Sequence, residues 1–195
     1  MFTITKEYTY TQEIKKSTFI TYLAPVNSSS EANLYLENLR KKYPDATHHC
    51  YSYIIGESNN EYKYSDDGEP SQTAGIVIYD VLRKNDLTNI ICVVIRYFGG
   101  IKLGAGGLVR AYSSSAGGAV SIAEFSKIIH YKHIKITFDY AYVNQIQKLL
   151  NDYENVEKTF LDKIIFSYKL PDSEVDDIKT QLIDITSNNI KIEVY

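Results

Sequence analysis

The run Arg96-Tyr97-Phe98-Gly99-Gly100-Ile101-Lys102-Leu103-Gly104-Ala105-Gly106-Gly107-Leu108-Val109-Arg110 gathers three cations around five glycines, and no carboxylate lies between Asp86 and Glu124. Glycines let successive backbone amides turn toward one ligand. If Gly106-Gly107 opens a helix, its unpaired N–H groups and positive dipole end add to the attraction for phosphate. The candidate anion or nucleic-acid contacts are therefore Arg96, Tyr97, Phe98, Gly99, Gly100, Lys102, Gly104, Gly106, Gly107 and Arg110. Among them Tyr97 and Phe98 offer aromatic faces to a base. Neither Gly-x4-Gly-Lys-Ser/Thr nor Gly-x-Gly-x-x-Gly occurs here, so no nucleotide fingerprint is met. A tight strand-to-helix connection whose glycines permit positive φ is the alternative.

Two further strings carry chemistry. Ser65-Asp66-Asp67-Gly68-Glu69-Pro70-Ser71 places three carboxylates within four residues, suited to a hard cation, to a general base, or to capping the amides of a following helix. Its spacing is not that of an EF-hand, and a solvated turn is the competing reading. In His48-His49-Cys50, strand alternation puts His48 and Cys50 on one face and His49 on the other, so the three do not converge on one ion. His48, Asp66, Asp67 and Glu69 are the candidate catalytic residues. No metal and no cofactor is expected. Cys50 and Cys92 form no close-spaced ligand pair and read as two reduced thiols, Cys92 within an apolar core run.

The elements that must position these groups follow from periodicity. Tyr8 to Ile14 and Phe19 to Ala24 read as paired strands, and Ser28-Ser29-Ser30-Glu31 as a capping box for a helix that Pro44 ends. His49 to Ile55 reads as a strand, Thr73 to Lys84 as a helix, Ile90 to Ile95 as a central strand apolar on both faces, and Gly107 to Phe125 as a small-residue helix. Further on, Ile134, Ile136 and Phe138 alternate as a strand, and Val143, Ile146, Leu150 and Tyr153 recur at helical spacing. Val156 to Leu161 and Ile164 to Leu170 form a hairpin about Asp162-Lys163. A helix through Val175, Ile178, Leu182 and Ile185 and a strand Ile190 to Tyr195 complete the order β-α-β-β-α-β of a ferredoxin-like domain. Most of the 18 tyrosines sit at sheet spacing and belong to the scaffold.

Composition divides the chain at the same place. Residues 1–130 balance 13 Lys/Arg against 13 Asp/Glu, whereas residues 131–195 carry 8 against 11, and all ten glycines fall between Gly56 and Gly118. An α+β chain of two domains, 1–130 and 131–195, is expected. With 44% hydrophobic and 23% charged residues the chain is globular, neither disordered nor disulfide-scaffolded. The longest strongly apolar stretch, Leu87 to Ile95, is far shorter than the roughly 20 residues of a membrane span, and the N-terminus is no signal peptide. A cytoplasmic location without membrane contact is expected.

In Ala46-Thr47-His48-His49-Cys50-Tyr51, Ser65-Asp66-Asp67-Gly68-Glu69-Pro70, Thr73-Ala74-Gly75, Arg96 through Gly104 and Arg110-Ala111-Tyr112, the sequence resembles the YigZ/IMPACT family. A weaker opening block is Lys16-Ser17-x-Phe19-Ile20. The resemblance implies a first domain similar to a small-subunit ribosomal protein and to domain four of the translocating elongation factor, then a ferredoxin-like domain. It implies a link with translation or RNA, and no assigned reaction. Thr18 stands where members often carry Arg, and Gln72 and Ile76 replace the usual small and polar residues. The leading expectation is a non-enzymatic protein docking on RNA or a ribosome-associated surface. A metal-dependent hydrolase or phosphoryl-transfer enzyme using the acidic loop near His48 is one alternative, and a protein-interaction module using the acidic C-terminal domain is another.

Overall fold

A strand that is apolar on both faces has to be covered on both, and the chain from Ile90 to Tyr97 is built that way. In a computed structural model, which describes residues 1–56 and 61–195, this strand lies at the centre of a five-stranded antiparallel sheet. The elements before it are β1 (Phe2–Thr3), β2 (Tyr8–Ile14), β3 (Ser17–Pro25), α1 (Ser29–Lys42), β4 (His48–Ile55), β5 (Glu61–Ser65) and α2 (Gly75–Lys84). The central strand is β6, followed by α3 (Ala105–Ser121) and β7 (Ser126–Lys127), which pairs with β1. Strand order in the large sheet is β2-β3-β6-β4-β5.

Alternation sorts the side chains of β6. Cys92 and Val94 pack with Phe19, Leu23, Cys50 and Ile54 beneath Ile78 and Leu82 of α2 and Leu108, Tyr112 and Ala116 of α3. Ile91, Val93 and Ile95 pack with Tyr22, Tyr51 and Tyr53 against Ala32, Leu36 and Leu39 of α1. The start of α1 is fixed by Ser28, whose hydroxyl accepts from the Glu31 amide at 3.2 Å, while Glu31 reaches back to the Asn27 amide at 2.7 Å. Arg40, Lys41 and Lys42 occupy its last turn, where cations favour the carbonyl end.

Two boundaries that differ from the sequence expectation move functional residues, and an edge strand comes in addition. The central strand continues past Ile95 to Tyr97, because Thr18 and Phe19 of β3 keep pairing with Tyr97 and Arg96. The helix read as Gly107 to Phe125 runs from Ala105 to Ser121. The edge strand β5, a short exposed run of Tyr and Lys after a polar stretch, carries no periodic signal strong enough to expect it.

The chain divides into two compact units, Met1–Ile128 and Ile129–Tyr195. The second contains β8 (Tyr131–Phe138), α4 (Val143–Leu149), β9 (Glu154–Phe160), β10 (Ile164–Pro171), α5 (Val175–Thr186) and β11 (Ile190–Val194). Its antiparallel sheet has the order β11-β8-β10-β9. Ile134, Ile136, Phe138, Phe166 and Leu170 are buried against Ile146 and Leu150 at the α4 end and Val175, Ile178 and Leu182 of α5. The molecule is α+β throughout.

Candidate functional site

Register decides where Arg96 goes. It pairs with Phe19 on one side and His48 on the other, and it shares a face with Cys92 and Val94 beneath α3. Its side chain is 5% exposed, and Nη1 lies 2.5 Å from Oε1 of the equally buried Glu69. The Tyr112 hydroxyl donates to the same oxygen at 2.8 Å. Nη2 reaches the Ser17 hydroxyl at 3.4 Å, and the guanidinium stands 5.4 Å from the ring centroids of Phe19 and Phe98. This corrects the expectation that Arg96 joins the loop's free cations. Its charge is consumed internally, and Tyr97, one residue on, packs with the α1-side core.

The acidic string is likewise spoken for. Asp66 Oδ1 accepts from the Ala74 and Gly75 amides at 3.0 and 2.8 Å, and Oδ2 from the Gln72 amide at 2.9 Å. It thus caps α2, whose own N-cap residue, Ala74, has no side chain able to do so. Asp67 takes Arg40 at 2.8 Å and the His49 amide at 2.6 Å. His48 Nδ1 lies 2.8 Å from the Asp67 carbonyl, which only accepts, so Nδ1 carries the proton and Nε2 faces Glu69 at 3.8 Å. Burial holds the His49 imidazole below its ordinary pKa, partly opposed by Asp67. Cys50 Sγ sits 3.2 Å from the Tyr112 hydroxyl and 3.0 Å from the Asp66 carbonyl, and burial pushes its thiol far up, which disfavours the nucleophilic thiolate. His48, Asp67 and Glu69 therefore come together as a satisfied polar network. No group of three His, Cys, Asp or Glu among the described residues is placed to hold a metal ion.

The glycine turn is arranged differently. Gly99 lies against the β2–β3 turn so closely that a Cβ there would stand 1.9 Å from the Lys16 carbonyl oxygen, and its amide donates to Ser17. Beyond this anchor the chain is open: Phe98 and Ile101 are 46% and 40% exposed, and Gly100, Lys102 and Gly104 are exposed. Gly104 is the N-cap of α3 at φ 72°, without a side-chain cap, and the first turn holds no acid. Among the described residues, the amides from Gly100 to Gly107 have no hydrogen-bond acceptor. Lys102 and Arg110 have no carboxylate partner there either. Exposed amides at the start of a 17-residue helix, flanked by two free cations, suit a bound anion. Sequence reasoning overlooked Lys15, which adjoins Leu103 and Arg110 in space and was legible only as a turn residue.

Comparison with known proteins places this architecture. Residues 15–120 match the Impact N-terminal domain. The IMPACT family member YvyE of Bacillus subtilis (strain 168) is 34% identical over 185 residues, covering 92% of this chain and 84% of that protein. The IMPACT family member YigZ of Escherichia coli (strain K12) is 31% identical over 188 residues, covering 94% and 92%. A crystal structure of a hypothetical protein superposes with a TM-score of 0.65 at 30% identity, covering 98% of this chain and 95% of that one. Matched through the site-bearing segment and, by these relatives, over nearly its full length, the chain belongs to the IMPACT family.

Proposed function

We propose that this chain is a non-catalytic, cytoplasmic protein linked to translation, docking on RNA or a ribosome-associated surface through the turn from Phe98 to Gly107 with Lys102 and Arg110. The observation that carries the reading is the acid-free run of exposed, unpaired amides at the uncapped start of α3. The family resemblance implies a first unit similar to a ribosomal protein and to domain four of the translocating elongation factor, which is part of this reading. The second unit is read as ferredoxin-like, supported by its element order and by the strand order β11-β8-β10-β9. Among the described residues no helix is long and apolar enough to cross a membrane.

With Arg96 withdrawn, two phosphate contacts remain. The log–log salt slope expected of them is about −1.4 on single strands and about −1.8 on duplex. Fluorescence anisotropy with single-stranded and structured RNA measures it. Lys102→Ala with Arg110→Ala should flatten the single-strand slope by about 1.4 without moving the thermal midpoint. Absence of salt-sensitive binding by the unaltered chain refutes the proposal.

A further inference from the structure

Between the β2–β3 turn and the first turns of α3 lies a cavity of about 280 Å³. Ile14 and Leu103 give it apolar lining, and Lys15 from the hairpin turn and Arg110 from the helix line it too, with Gly107, Ala111 and Ser114. Neither cation has a carboxylate partner among the described residues. The nearest acid in sequence, Glu13, is kept away by alternation. In β2 the residues Tyr8, Tyr10, Gln12 and Ile14 are half-buried, Tyr8, Tyr10 and Ile14 against the core that α3 covers, whereas Thr9, Thr11 and Glu13 are exposed on the other face.

The elements around the cavity are tied to one another. The two N–H groups of Gln12 Nε2 face three acceptors, the Ala111 carbonyl at 3.3 Å and the Ser114 and Ser115 hydroxyls at 2.9 and 2.6 Å, which ties β2 to α3. Gly99 ties the glycine turn to the hairpin on the adjoining side. Arg110 extends back along the first helical turn, its Nη1 3.6 Å from where a Cβ on Gly106 would sit.

We infer that this cavity receives one unpaired nucleotide of a single-stranded RNA, its base against Ile14 and Leu103 and its phosphates at Lys15 and Arg110. The inference rests on the RNA-docking reading above and narrows its ligand. Apolar side chains beside two cations without a carboxylate partner match a group that joins a flat apolar ring to an anion. The volume lies just below the range of small-molecule sites, about 300 to 1,000 Å³, so it suits a single nucleotide better than a base pair. In a duplex the base faces are stacked on one another, and only an unpaired base can be turned into such a cavity.

The test uses the full chain with two probes, an rU12 oligomer and the blunt rU12·rA12 duplex, titrated by anisotropy across a salt series. Lys15 adds a third contact to the two of the docking reading alone, so the rU12 slope should steepen from about −1.4 to about −2.1, and return to about −1.4 in Lys15→Asn with roughly fivefold weaker binding at 0.1 M salt. Asn suits this position because Lys15 has φ 47°, a left-handed conformation that Asn adopts readily. Leu103→Ala removes part of the apolar lining without removing charge. It should weaken rU12 about fivefold at an unchanged slope and leave the duplex constant as it was. If rU12 and the duplex bind alike and neither variant separates them, the cavity reading falls while docking through the glycine turn stands. If neither RNA binds in a salt-dependent way, both readings fall.

Discussion

Replacing Glu69 by Ala strips the counter-charge from a guanidinium that is 5% exposed and whose Nε already lacks a partner. Breaking a buried pair from one side costs about 3–5 kcal/mol, because the remaining ion stays desolvated. The Tyr112 hydroxyl also loses its acceptor at 2.8 Å, worth about 1 kcal/mol more. A loss of about 4–6 kcal/mol is comparable with the whole stability of many domains, roughly 5–15 kcal/mol, so the N-terminal unit should be close to unfolding. Removing both charges tells a different story. Glu69→Leu with Arg96→Met leaves no buried ion, and the double variant should lie within about 2 kcal/mol of the parent, a coupling of several kcal/mol between the sites. Urea denaturation followed by far-ultraviolet circular dichroism gives each difference. A loss under about 1 kcal/mol in Glu69→Ala, or a double variant no better than the single one, refutes the placement of Arg96 as an internal strut. By the same logic, Arg96 variants should abolish RNA binding only through loss of structure, whereas Lys102→Ala and Arg110→Ala act on a folded protein.

Gly99→Ala forces a methyl group against the Lys16 carbonyl and should cost about 1–3 kcal/mol or more in urea, together with RNA affinity, because the turn is displaced; an unchanged midpoint contradicts the close approach. Asp66→Ala releases three amides at the start of α2 and should cost about 2 kcal/mol, read from the thermal midpoint, whereas Asp66→Asn retains part of this through its side-chain carbonyl. His49 is more acidic folded than unfolded, so the unfolded chain binds its proton first. Stability should be full above about pH 6.5 and decline as the pH falls toward the folded value. In His49→Gln that part of the decline between pH 7 and 5 should vanish, and urea midpoints across this range detect it.

How much of this could be read from residues alone depends on whether the deciding contact was local. The two-faced apolar run of β6 and the capping box of α1 are local signals, and the structure contains both elements. Arg96 misleads because apolar character ends at Ile95 while hydrogen-bond pairing does not: β3 carries the ladder on to Tyr97, and alternation then points Arg96 under α3. The partner that neutralises it, Glu69, is 27 residues away in sequence. On paper the acidic string reads first as a solvated turn, with metal binding, general-base chemistry and capping as further readings. Only the return of Asp66 to the amides of Gln72, Ala74 and Gly75 chooses the last. Lys15 escaped notice because its neighbours in space, Leu103 and Arg110, are brought to it by the packing of a hairpin turn on a distant loop. The glycine turn itself was conspicuous, since glycine density and absence of acid are properties of composition.

Both thiols, Cys50 and Cys92, lie in the N-terminal unit, fully covered and with burial pushing their pKa values far up. The other unit has no sulfhydryl at all. Alkylation by a small iodoacetamide probe is therefore a clock that runs only when the first unit opens and is deaf to fraying of the second. Because Cys50 rests against the Tyr112 hydroxyl and the Asp66 carbonyl, its modification marks the moment at which helix, acidic turn and sheet part company.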